Sequence, residues 1–304
     1  MSDHSPAYDP AEAPSGLLFA VTTSSQWPIF AGVIAAAASL MSLAVLSMVV
    51  GCTSALKEPP PVAEFGASGA QTSAEPLDSG AALAEAEIEF GKMPDFAAVR
   101  RAQQLFLEVA GAEEAPVEAY LGAARANAWL IEHIDDGARR KELAIQGVQI
   151  GQWCRRLHPS NPECTYRLAL AVGQQARERP STATDGLDVM VELLEEVIAT
   201  APELDFAGAQ RVLALVLVRA PGWPTGPGDP EYGLEFAEAA VKAFPDYSPN
   251  QLVLGETLLE IGRKDEARDA LERGVELARA GLTAGDPEAA DWICQAEEVL
   301  AKIR

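Results

Sequence analysis

The chain has 304 residues, enough for one large or two ordinary domains around a sizeable core. It carries 23 Lys plus Arg against 45 Asp plus Glu, a formal charge of -22, and a surface that acidic repels nucleic-acid phosphates and anionic lipid headgroups. Ala, Leu, Glu and Val predominate, and the period-two alternation of β-branched and aromatic residues is nearly absent. The expected fold is therefore all-α.

Residues 1–26 are polar and hold no Lys or Arg; the first Lys is Lys57. From Ile29 to Val50 the chain is almost unbroken in apolar character, long enough to cross a bilayer at ~20 residues. The run ends in Val49-Val50-Gly51-Cys52, which resembles the lipobox of bacterial lipoproteins. The resemblance implies cleavage before Cys52 and a diacylglycerol on its thiol. The missing positive n-region leaves an uncleaved transmembrane anchor as the alternative. Either way, residues 1–52 tether the chain to a bacterial envelope membrane, facing the periplasm.

Thr53 to about residue 91 is rich in Pro, Ala, Ser, Gly and Glu, as in Glu58-Pro59-Pro60-Pro61 and Gly66-Ala67-Ser68-Gly69. Such a composition buries too little apolar surface to fold. It reads as a flexible linker of roughly 35 residues with an end-to-end distance of ~30 Å.

From residue 92 to 304 a series of helical patterns is separated by Pro, Gly and Asp. They fall near 95–110, 116–134, 137–157, 162–177, 184–200, 205–219, 229–244, 249–261, 264–280 and 286–302. Asp229-Pro230 and Asp286-Pro287 are start signals, an N-cap followed by Pro in the first turn. Short loops between them imply antiparallel hairpins. Leu254-Gly255, Leu258, Gly262, Ala267, Leu271 and Gly274 resemble the 34-residue tetratricopeptide repeat, whose small residues sit where two helices cross. Leu213-Ala214 and Leu168-Ala169 repeat the register upstream, with the surplus residues falling in Pro221–Pro227 and around Arg177 to Asp185. The expectation is a superhelical domain of tetratricopeptide-like hairpins; a non-repetitive helical bundle is the alternative.

Asp205-Phe206-Ala207-Gly208-Ala209-Gln210-Arg211-Val212-Leu213-Ala214, then Ala220-Pro221-Gly222-Trp223-Pro224, Gly228-Asp229-Pro230 and Ala239-Ala240-Val241, resemble the T component associated with TRAP transporters. That resemblance implies a lipoprotein with cryptic tetratricopeptide repeats that partners a periplasmic solute-binding protein. The alternative is a tetratricopeptide interaction lipoprotein of envelope assembly, unrelated to transport.

No catalytic residue, metal site or cofactor is expected. His4, His133 and His158 form no H-E-x-x-H pattern, no P-loop or G-x-S-x-G elbow occurs, and Gly226-x-Gly228 lacks the third Gly and the strand of a dinucleotide turn. Cys154 and Cys164 lie equidistant from Pro159, so a hairpin would set them face to face, as a disulfide or as two small buried residues. Cys294 has no evident partner and reads as core. Transferring the repeat register places Tyr166, Arg211 and Leu252 in one row of a concave groove, and Leu170, Leu215 and Glu256 in a second. Arg219, two turns beyond Arg211, would add a second cation. The two arginines suit a carboxylate of a partner protein, peptide or organic acid, or else pair with acidic neighbours of the same chain. Trp223 is read as a binding anchor or as a cap over the core.

Overall fold

The computed structural model describes residues 56–59, 78–112 and 114–303. The apolar run, Cys52 and most of the expected linker lie outside them. Eleven α-helices follow in order: α1 Ser79–Phe90, α2 Phe96–Ala110, α3 Val117–Glu132, α4 Gly137–Leu157, α5 Pro162–Glu178, α6 Ala183–Thr200, α7 Gly208–Arg219, α8 Pro230–Ala243, α9 Ser248–Glu260, α10 Lys264–Ala284 and α11 Ala289–Ile303. The described residues hold no β-strand, and no helix among them is long and apolar enough to cross a membrane.

Local sequence explains where the helices begin. Asp78, Asp95 and Asp136 each accept two backbone N–H bonds from the first turn that follows. Asn161 and Asp229 cap α5 and α8, each with Pro at the first helical position. Helix α1 corrects the linker boundary expected at 91. Its stretch of Ala, Glu and Leu, strong helix formers, is capped by Asp78, and Ala82, Ala86 and Phe90 bury themselves against the helices that follow.

Each helix packs on its neighbours in sequence, and odd-numbered helices also touch one another: α1 with α3, α3 with α5, α7 with α9, and α9 with α11. The core follows suit. One apolar cluster joins α1 to α4, another joins α4 to α7, and a third joins α7 to α11, with Phe236 packed against the last two. Helix α7 is much more deeply buried than α8: nine of the twelve residues of α7 are buried, against three of the fourteen of α8. Where α9 crosses α10 the backbones approach closely. A Cβ on Gly255 would lie 2.5 Å from Leu271, and one on Gly274 would lie 2.4 Å from Leu252.

Between α6 and α7 the chain makes an uncommon turn. Asp205, Phe206 and Ala207 all have positive φ, at 53°, 52° and 63°. Left-handed backbone costs an L-residue roughly 1–2 kcal/mol, so three in a row need support from outside the turn.

Candidate functional site

That support is a buried polar cluster where α5, α7 and α9 meet. Arg211, on the second turn of α7, is 1% exposed. Its Nη1 donates to the carbonyls of Asp205 and Phe206, both at 3.2 Å, and to Asn250 Oδ1 at 3.0 Å; its Nη2 donates to Asp205 Oδ2 at 2.8 Å. The Tyr166 hydroxyl donates to the same oxygen at 2.7 Å. Asn250 Nδ2 in turn donates to the Phe206 carbonyl at 3.1 Å. The left-handed turn is thus held by the side chains its own carbonyls bind, and the Arg211 guanidinium also lies 5.0 Å over the Tyr247 ring.

Electrostatics reinforce the cluster. Burial opposes the Arg211 charge and is the largest single effect, but Asp205, Tyr247 and Tyr166 together outweigh it and raise the pKa. Tyr166 is pushed well above its ordinary value, first by burial and then by the Asp205 charge. Just before α11, Glu288 is pushed up to about 8, chiefly by burial, then by Asp205 and Asp286, with Arg211 opposing.

This geometry redistributes the residues expected to line a groove. Tyr166 and Arg211 do come together, but inside the protein. Leu170, Leu215 and Leu252 are buried core residues, 5–6% exposed. Arg219 grips Glu256 through both ends of its guanidinium, Nε to Oε1 at 2.6 Å and Nη2 to Oε2 at 2.5 Å, with both side chains partly exposed. Both arginines therefore have carboxylate partners within the chain, one deep and one near the surface. Asp205, Asn250, Tyr247 and Glu288 complete the cluster and were not singled out from the sequence. Asp205 lies only six residues before Arg211, and the left-handed turn between them, built without Gly, is what hides the pairing.

Trp223 does not cap the core: it is 91% exposed. The loop that carries it, between α7 and α8, is closely built. Gly228 N donates to the Pro221 carbonyl at 2.9 Å, Asp229 N to Leu217 at 2.8 Å, and Thr225 bonds the Gly222 carbonyl through its backbone N and its hydroxyl. A Cβ on Gly228 would stand 2.1 Å from the Ala220 carbonyl oxygen, so only a residue without a Cβ fits there. Tyr232, 42% exposed, lies in the first turn of α8 just beyond.

Cys154 at the end of α4 and Cys164 at the start of α5 are joined in a disulfide, Cα to Cα 5.2 Å, while Cys294, expected in the core, is free and exposed on α11. A cavity of about 510 Å³ lies between α10 and α11, lined by Glu272, Val275, Arg279, Glu297 and Leu300, away from the Trp223 loop in sequence. No group of His, Cys, Asp and Glu suited to a metal ion occurs among the described residues. No protein-family model and no curated protein sequence matches this chain.

Proposed function

We propose that this chain is a membrane-tethered interaction protein of the bacterial envelope, with tetratricopeptide-like hairpins as its scaffold and the Trp223 loop as its docking anchor. The single observation that carries this reading is a Trp side chain almost wholly in solvent on a loop whose backbone is fixed by four hydrogen bonds. Fixed backbone keeps the ordering cost of binding low, and Trp is the residue most enriched among interface hot spots. The contacts among odd-numbered helices support the repeat reading: α1, α3 and α5 form one series and α7, α9 and α11 another, each with even helices packed beside it, as in stacked helix pairs. The Cys154–Cys164 disulfide suits an oxidising compartment.

On this reading the partner is a protein, and the resemblance of residues 205–241 to the T component of TRAP systems names it by class, a periplasmic solute-binding protein. The chain would be an accessory subunit of a TRAP-type solute transport system. The buried rows Tyr166, Arg211, Leu252 and Leu170, Leu215 serve the scaffold; Arg219 ends α7 just before the loop, and its pair with Glu256 fixes that end against α9.

The test is a photo-crosslinking amino acid at position 223 in the full-length membrane-bound protein. Cross-linking to the solute-binding protein of a TRAP system in the same cells is the expected result. Cross-linking only to other envelope proteins would favour a scaffold unrelated to transport, and none at all would remove the anchor.

A further inference from the structure

The four described residues nearest the expected anchor do not hang free of the domain. Leu56 packs against the apolar cluster that joins α4 to α7, Pro59 is buried, and Glu58 reaches Arg156 at 3.7 Å. Cys52 precedes Leu56 by four residues, a reach of at most ~14 Å even fully extended. Were the domain held only through its first helix, the 26 residues from Cys52 to Asp78 would behave as a coil of ~28 Å root-mean-square span. Docking of residues 56–59 replaces that long leash with a short one and chooses which face of the domain lies next to the lipid.

The face so chosen is the C-terminal end of α4. There Trp153 is half-buried, Arg156 lies 4.9 Å over its ring, and Leu157 is 49% exposed at the helix end. Arg155 pairs with Glu196 at 2.6 Å and Arg156 with Glu58, so the patch carries little net charge. Lys57 stands exposed between Leu56 and Glu58. An amphipathic aromatic ring, an arginine with a long apolar stem and an exposed Leu are the groups that settle at headgroup depth. In a chain of net charge -22, a nearly neutral patch of this kind suits zwitterionic rather than anionic headgroups. The disulfide from Cys154 to Cys164 passes beneath it and ties the end of α4 to α5.

We propose that the end of α4, Trp153 to Leu157 with Lys57 beside it, is a membrane-contacting surface that seats on zwitterionic phospholipid headgroups, held there by the docked segment Leu56–Pro59. The proposal rests on the tether reading above. It gives the domain a fixed orientation at the bilayer, so the Trp223 loop is presented from a defined height instead of swinging on a linker.

The experiment uses the full-length protein in phosphatidylcholine vesicles containing a headgroup-labelled nitroxide lipid, with a fluorophore coupled through an azide side chain at position 157 or at exposed position 282 in α10. Expected is flotation with the vesicles and quenching several-fold stronger at 157 than at 282. Leu56→Asp should keep flotation and lose the difference. Flotation with equal quenching at the two positions overturns the seating and leaves the tether standing. Failure to float overturns both. An unchanged difference in Leu56→Asp overturns the role of the docked segment.

Discussion

Arg211 offers the sharpest test of how the helix layer is held together. Its guanidinium makes four hydrogen bonds, three of them to the left-handed turn at Asp205 and Phe206, and the side chain is almost wholly out of solvent. Arg211→Met keeps most of the stem volume but strands the Asp205 carboxylate, which is 7% exposed and would retain only the Tyr166 hydroxyl among its side-chain partners. Breaking a buried pair on one side costs about 3–5 kcal/mol, and the turn loses the donor that bridges its two carbonyls. Urea unfolding of the detergent-solubilised chain, followed by circular dichroism, should show a loss of that size. Adding Asp205→Asn removes the stranded charge and should recover part of it, leaving the smaller deficit of lost hydrogen bonds, about 1–2 kcal/mol. A cost under about 1 kcal/mol for Arg211→Met, the worth of an exposed pair, would refute the reasoning.

Glu288 makes a pH-dependent prediction. Its folded value, pushed up to about 8, exceeds its ordinary 4.5, so between those values the folded state holds a proton that the unfolded state has released. Stability therefore falls as pH rises from about 4.5 and levels off above about 8. Glu288→Gln should raise the melting temperature at about pH 9 and leave it nearly unchanged at about pH 4; an equal shift at both would show that the carboxyl is not responsible. The two bridged cysteines are ten positions apart in the sequence, so replacing both Cys154 and Cys164 by Ser should destabilise the domain by about 3 kcal/mol. Peptide mapping of the unreduced protein isolated from cells should find the two joined, and free thiols there would contradict the proposed oxidising location.

How much of this was legible differs by element. Helices from α2 onward could be read from N-caps, first-turn prolines and apolar period, because those are local signals: Asn161-Pro162 and Asp229-Pro230 mark the starts of α5 and α8. Helix α1 carries the same local signals, the Asp78 cap and a run of Ala and Glu, but they follow directly on the Pro-, Ser- and Gly-rich stretch, which masks them, and the burial of Ala86 and Phe90 against later helices is a non-local feature. The register placed Tyr166 and Arg211 in the same row, and they do share one carboxylate. What the register could not say is which side of the row faces solvent, because that depends on the left-handed turn at 205–207, and no Gly marks it. Trp223 illustrates the converse. Its Pro- and Gly-rich loop is visible in the sequence, while its exposure follows from backbone bonds such as Gly228 to Pro221 that only the folded loop forms.

The central claim, that the Trp223 loop anchors a protein partner, is tested most directly by the affinity of the full-length protein for the solute-binding protein of a TRAP system from the same cells, compared with that of Trp223→Ala. Trp223 is so exposed that its removal should leave the unfolding midpoint unchanged. A hot-spot Trp contributes ≥ ~2 kcal/mol to binding, so the variant should bind about 30-fold more weakly or worse. Equal dissociation constants for the two proteins, or no measurable binding by either, would contradict the account.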